Sequence, residues 1–335
     1  MELLAGRESI DQALADPALD ADLRTRLETV RGARRFSIDE LALPDSGSYT
    51  RWVKLGREAV LWNVVAAPEF SLAPNTWCYP LAGCLAYRGW FRREAAEREA
   101  ARLAAQGLDV RVYPVIAYST LGWFDDPVTS PMLALPDWQL AGVIIHELAH
   151  QRLFVAGDTA FSEAYASAVE RAGLARWLDR YGGSGDAAAW QRAQSSRIAR
   201  QRWLMALRDE LSALYAKPLS AAELRARKQA CVDGLSRAAA EHEASPWSGR
   251  PPTGINNADL ALAAVYEDGV AAFADLLAEY RFDFERFHAA VERLAGQGSE
   301  HRAAFLAQAQ LPAAPASGPP GFCPPSAAEP RTSRP

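Results

Sequence analysis

The apolar run Ala141-Gly142-Val143-Ile144-Ile145 leads directly into His146-Glu147-Leu148-Ala149-His150 and on to Leu153-Phe154-Val155. A segment this apolar reads as a buried helix, and two imidazoles and a carboxylate on such a helix constrain everything packed around it. Residues at i and i+4 stand one turn apart on one face, so His146 and His150 can share a single metal ion. Glu147 points to the neighbouring edge of that face. There a carboxylate reaches a water on the ion and serves as general base. The spacing is H-E-x-x-H. The competing account is an amphipathic core helix whose histidines are satisfied by hydrogen bonds alone.

A catalytic zinc ion takes three protein ligands and leaves a fourth position to water, so another ligand is expected downstream. Gly157-Asp158-Thr159 reads as a helix stop followed by a start, with Asp158 or Thr159 as N-cap. The next helix carries Glu163 and Glu170, and its antiparallel return brings its first turns beside His150. Those two glutamates share a face but stand about 10 Å apart along the axis, so they do not both bind one ion. Glu163 is the expected third ligand of one Zn2+, the alternative being a capping or surface carboxylate. Glu170 is the expected partner that orients a ligand histidine through its free ring nitrogen.

The rest of the chain bounds this reading. A length of 335 residues is enough for a sizeable core, and 49% hydrophobic with 23% charged residues is an ordinary globular balance. A net charge of -5 argues against a nucleic-acid surface, and no basic run with interleaved aromatics is present. No stretch approaches the roughly 18 apolar residues of a membrane span. The start Met1-Glu2-Leu3-Leu4 has neither a basic region nor an apolar core of a secretory signal, which makes the cytoplasm the default compartment. Cys78, Cys84, Cys231 and Cys323 lack metal-ligand spacing and read as core or loop thiols. A Cys78–Cys84 bridge is expected only outside the reducing cytosol.

Along the chain, residues 8–33 read as helical with a break at Pro17, and 36–41 as the start of another helix. Residues 59–67 and 110–118 read as strands, the second an edge or bulged strand because of Pro114. Between them, 90–107 is a charged amphipathic helix, and the histidine helix spans roughly 137–155. Segments 186–215 and 220–243 form a long helical hairpin, with a capping box at Ser220 and Glu223, whose expected role is packing. Two further helices are expected over 256–296 and a short one up to 310. The fold class is α+β and mostly helical: a zincin-like core with a small sheet plus the long hairpin. One domain is expected over 1–310, an α+β part at 45–175 and a helical part at 176–310, followed by a proline-rich disordered tail at 311–335.

His146 to His150 followed by Ser162-Glu163-Ala164-Tyr165-Ala166 resembles the H-E-x-x-H … N-E-x-x-A layout of gluzincin metallopeptidases. More narrowly, the chain resembles a bacterial family of zinc aminopeptidases. The blocks that carry this are Thr76-Trp77-Cys78-Tyr79-Pro80 through Gly83-Cys84-Leu85-Ala86-Tyr87-Arg88-Gly89-Trp90-Phe91, the segment 117–128, the region 146–170, and Asn256-Asn257-Ala258. The resemblance covers most of residues 45–280 and implies His146, His150 and Glu163 as zinc ligands, Glu147 as catalytic base and a peptide substrate. It also implies a place in the cell envelope. The chain departs from the pattern in lacking a signal and lipid-anchored cysteine, and in having Ser162 where asparagine is usual. The Gly-x-Met-x-Asn amine-recognition stretch of familiar gluzincin aminopeptidases is missing as well.

A tetrahedral oxyanion needs a donor beside the metal, and Tyr118, Tyr165 and Tyr266 are candidates, Tyr266 because it follows Asn256-Asn257 on the same helix, with core packing the favoured account of any one of them. The strand at 110–118 offers an edge to an extended peptide. Asp125 or Asp126 could hold a substrate ammonium, or belong to a capping turn ahead of the histidine helix. Asn256 and Asn257 either contact peptide backbone or cap their helix. His242, His288 and His301 are expected to be solvated surface residues. Two other readings stand beside the aminopeptidase: a metallo-endopeptidase, and a non-catalytic zinc-stabilised envelope binding or assembly protein.

Overall fold

The computed structural model describes residues 6–79, 83–117, 125–242, 245–247, 252–267, 269–308 and 319–324. Strand β1 (Glu8–Ser9) runs into helix α1 (Ile10–Ala15), and Pro17 lies in the break before α2 (Ala21–Leu41). Asp20 caps α2 by accepting from the Leu23 amide at 3.0 Å. Helix α2 is continuous, which corrects the expectation of a new helix from residue 36. Leu27, Val30, Phe36 and Leu41 keep one buried stripe, and Gly32 is carried within the helix without a break.

Strand β2 (Arg51–Val53) pairs with β1 and, in parallel, with β8 (Val128–Thr129). The longest strand, β3 (Leu61–Pro68), is central in a second sheet, flanked antiparallel by β6 (Arg88–Trp90) and β7 (Leu108–Val115). Its buried residues Trp62, Val64 and Ala66 pack with Ala96 and Leu103 of α3 (Arg93–Ala104). Pro114 sits exposed in the edge strand β7, where a missing N–H interrupts no ladder on the outer side. Strands β4 (Trp77–Tyr79) and β5 (Gly83–Leu85) form a small hairpin in which Cys78 faces Cys84. These two cysteines are disulfide-bonded, so they are not the free thiols expected.

After α4 (Ser130–Leu133) come the two helices at the centre of the molecule, α5 (Asp137–Arg152) and α6 (Thr159–Tyr181). Leu140, Ile144, Ile145 and Leu148 of α5 are wholly buried in the main core, which joins α2, α5 and α6. The hairpin of α7 (Asp186–Tyr215) and α8 (Ala221–Glu241) is present as expected, with both halves of the Ser220–Glu223 capping box. It builds a second core with Leu260 of α9 (Asn257–Glu267).

Part of the expected tail is docked. Phe322 is buried in that second core, Cys323 is disulfide-bonded to Cys231, and Glu210 accepts from the Phe322 and Cys323 amides at 2.9 and 2.6 Å. A Cβ at position 234 would come within 2.0 Å of the Phe322 carbonyl oxygen, so only glycine lets the segment lie this close to α8.

The chain closes with α10 (Val270–Glu279), α11 (Phe284–Ala295) and α12 (Ser299–Ala307). Three helices rather than two therefore occupy 256–296. The unforeseen break at 280–283 places Arg281 and Phe282 in the left-handed region, at φ 53 and 59. Neither residue type advertises that conformation. Phe273, Phe287 and Val291 from these helices enter the main core with α5 and α6. Among the described residues no helix is long and apolar enough to cross a membrane.

Candidate metal centre

Because α5 buries an apolar face against α2 and α6, its remaining functional face is fixed towards the first turns of α6. His146, Glu147 and His150 lie on the last two turns of α5. Asp158 starts α6 by accepting from the Phe161 amide at 3.1 Å, and Glu163 follows one turn later. The Ser162 hydroxyl donates to the Asp158 carbonyl and accepts from the Val155 amide, both at 3.0 Å, which ties the turn between the helices to α6.

This arrangement brings three ligand atoms together. His146 Nε2 and His150 Nε2 are 3.1 Å apart, and Glu163 Oε2 lies 3.5 Å from the first and 3.6 Å from the second. A tetrahedral ion bound at about 2.0–2.2 Å has ligand–ligand edges of roughly 3.3–3.6 Å. The two edges to Glu163 match this spacing and the His146–His150 edge is slightly short, so the three residues fit a metal ion with a small separation of the two rings. His150 and Glu163 are only 7% and 9% exposed, too buried for these groups to be ordinary surface charges. His146 Nδ1 lies 3.1 Å from Glu170 Oε2, an arrangement in which Nδ1–H donates and Nε2, facing Glu163 and His150, is the nitrogen left for an ion to take in place of a proton.

The electrostatics follow from the crowding. Burial alone would lower the His146 pKa, but hydrogen bonds to Glu163 and Glu170 outweigh it and hold it well above the ordinary value. Burial alone would raise Glu163, yet its hydrogen bonds to His146 and His150 keep it far below the usual carboxylate range. Glu147 behaves differently. Burial pushes its pKa up, the two histidines pull it down, and the charges of Glu163 and Asp126 add to the upward shift.

Asp126 is buried; its amide donates to Ser48 Oγ at 2.9 Å and its carbonyl accepts from the Tyr49 amide at 2.7 Å. Asp125 is exposed with its carboxylate against Gly47. Asn256 caps α9, accepting from the Ala258 and Asp259 amides at 3.0 and 3.3 Å and donating to Val110 O at 3.1 Å. Asn257 donates to the Pro68 and Glu69 carbonyls at 3.0 and 2.9 Å, and its Oδ1 accepts from Tyr215 OH at 2.9 Å. Their amides thus join α9 to the ends of β3 and β7. Along β7, Val110 O is taken by Asn256, and just beyond the strand Ile116 O is taken by Thr129 Oγ1 at 3.1 Å.

Tyr118 lies outside the described residues, and of Tyr266 only the backbone in α9 is described. Tyr165 is buried and hydrogen-bonded to His288 Nδ1 at 2.9 Å. His288 is itself buried, with Nε2 2.8 Å from the Leu41 carbonyl, which corrects the expectation of a surface histidine. It lies on the inward stripe of α11 with Phe284, Phe287 and Val291.

One segment near Glu147 was not foreseen. Gln151, one turn after Glu147 on α5, donates to Ser48 Oγ at 2.9 Å and accepts from Ser46 Oγ at 2.7 Å. Next to Ser48, Tyr49 has φ 61, and its buried hydroxyl has no hydrogen-bond partner among the described residues. Its pKa is pushed well up by burial, with the charges of Glu147 and Asp126 adding to the shift. A left-handed tyrosine has no sequence signature, and only the preceding Gly47-Ser48 marks a turn there.

A mostly helical α+β protein with a buried His-His-Glu group that could hold a metal ion is the class these features define. Residues 1–306 match the family model described as "Putative aminopeptidase", and the chain belongs to that family. No curated protein and no solved structure matches the chain.

Proposed function

We propose that this protein is a zinc-dependent peptidase and, within that class, an aminopeptidase. The observation that carries the reading is the triangle of His146 Nε2, His150 Nε2 and Glu163 Oε2, with edges of 3.1 to 3.6 Å, on the helix that also bears Glu147. Two imidazoles and one carboxylate are a donor set suited to zinc. The family match supports peptide hydrolysis as the reaction.

When bound, zinc would acidify a water and polarise the scissile carbonyl. Glu147 takes the proton from the attacking water and delivers it to the departing amine. Burial raises the Glu147 pKa, which makes it a better proton acceptor than an exposed glutamate. Glu170 holds the His146 ring so that Nε2 stays a lone-pair donor. In the aminopeptidase reading, Asp125, exposed beside buried Asp126, meets the free ammonium of the substrate.

All four cysteines are disulfide-bonded. Two structural disulfides belong in an oxidising compartment, so we place the working protein outside the reducing cytosol. This agrees with the envelope location implied by the family resemblance. The test of the subtype compares peptides with free and acetylated N-termini. Hydrolysis confined to free-amine peptides is expected. Equal cleavage of acetylated peptides would make the protein an endopeptidase instead.

A further inference from the structure

The β4–β5 hairpin touches the turn that joins the two ligand-bearing helices. A Cβ on Gly83 would come within 2.5 Å of Gly157 N and 2.6 Å of Gly157 Cα, so the two backbones are in direct contact. Gly83 and Gly157 have φ of 72 and 79, a region that suits glycine. Gly157 lies between His150 and Glu163, in the one covalent link from the end of α5 to the start of α6. Other groups hold the same turn from different sides. Ser162 binds the Val155 amide, and Arg302 Nε donates to Asp158 Oδ2 at 2.7 Å. The shape of this turn sets how far the first turn of α6 stands from His150.

A hairpin with three residues in each strand does not hold its shape alone in water. Here it has two supports. Trp77 packs on the core that contains Trp62 and Val64, and the Asn75 amide donates to Ala66 O of β3 at 2.7 Å. The disulfide joins the facing residues Cys78 and Cys84. The hairpin is thereby a closed brace, anchored on the central sheet and bearing on the α5–α6 turn.

We propose that Gly83, held by the Cys78–Cys84 disulfide, is a positioning residue of the metal centre: its contact with Gly157 keeps His150 and Glu163 at ligand spacing. The proposal rests on the metal-binding reading above. Zn2+ and Co2+ affinities of the full chain, measured by chelator competition together with the Co2+ absorption spectrum, test it. The comparison uses wild type, Cys78→Ser/Cys84→Ser, Gly83→Ala, and Cys231→Ser/Cys323→Ser as a control that removes the other disulfide. Circular dichroism follows the fold of each.

The first two variants are expected to stay folded, to lose roughly 10- to 100-fold in affinity, as loss of an outer support does, and to show a changed Co2+ spectrum. The control is expected to bind as wild type does. Wild-type affinity and spectrum in both hairpin variants would overturn the proposal. An equal loss in the control would overturn it too, by showing a general loss of stability. A wild-type chain that binds neither ion would refute the metal reading itself and the positioning role with it.

Discussion

His146 Nδ1 and Glu170 Oε2 lie 3.1 Å apart, joining the ligand helix α5 to α6 two turns beyond Glu163. The contact selects which ring nitrogen carries the proton and fixes the ring plane. Glu170→Gln keeps a hydrogen bond but removes the charge, and Glu170→Ala removes both. Metal affinity is expected to fall roughly 10-fold or more in the alanine variant and less in the glutamine variant, read by chelator competition. Unchanged affinity in the alanine variant would show that Glu170 has no part in holding His146.

Tyr49 makes a prediction of opposite signs. A buried hydroxyl without a partner is destabilising by about 1–3 kcal/mol, and that of Tyr49 has none among the described residues, so Tyr49→Phe should raise stability by about 1 kcal/mol in chemical denaturation. The same change removes a hydroxyl close enough to Glu147 to feel its charge, so peptide hydrolysis should fall. A variant no more stable than wild type and equally active would contradict both halves.

His288 gives the fold a pH dependence. Burial lowers its pKa to about 4, while the unfolded chain titrates at the ordinary value near 6.5. Between those values the unfolded state binds a proton that the folded state does not. Stability contributed by the neutral ring is therefore complete above pH 6.5 and is lost as the pH falls to about 4, by about 3 kcal/mol in all. Denaturation measured from pH 7 to pH 4 should show this loss in wild type, and His288→Gln should have a correspondingly flatter profile. Identical profiles would remove His288 as its source.

The Cys231–Cys323 disulfide closes a loop with a sequence separation of 92 residues, pinning Phe322 in the second core. A cross-link of that span stabilises by up to about 4–5 kcal/mol in the chain-entropy model. Cys323→Ser is expected to lower denaturation stability by several kcal/mol and to open the 319–324 segment to proteolysis. Full resistance to cleavage would show that the burial of Phe322 and the Glu210 contacts suffice.

The helices around the candidate site were legible because each carried its own local signals. The apolar flanks of His146–His150 demanded burial, and Gly157-Asp158 marked the turn that returns Glu163 to His150. Helical geometry marked Glu170 as a partner for a ligand histidine but did not say which one; packing of α6 on α5 brings it to His146. What escaped reading depends on contacts between distant segments. Nothing near Tyr49 announces that Ser48 bonds to Gln151, and nothing in a proline-rich tail marks Phe322 as core. His288 sits among charged residues, so its inward position appears only once α11 packs on α2 and α6. The break at Arg281-Phe282 has no glycine or proline to signal it.

The central claim, a metal held by His146, His150 and Glu163 and served by Glu147, is tested most directly by one paired measurement. Metal content and peptide hydrolysis are determined for wild type and Glu147→Gln. Both proteins are expected to hold one ion per chain, with hydrolysis by the variant lower by roughly 10²- to 10⁴-fold. A metal-loaded variant as active as wild type would contradict the role of Glu147, and a wild-type protein that takes up no metal would contradict the site.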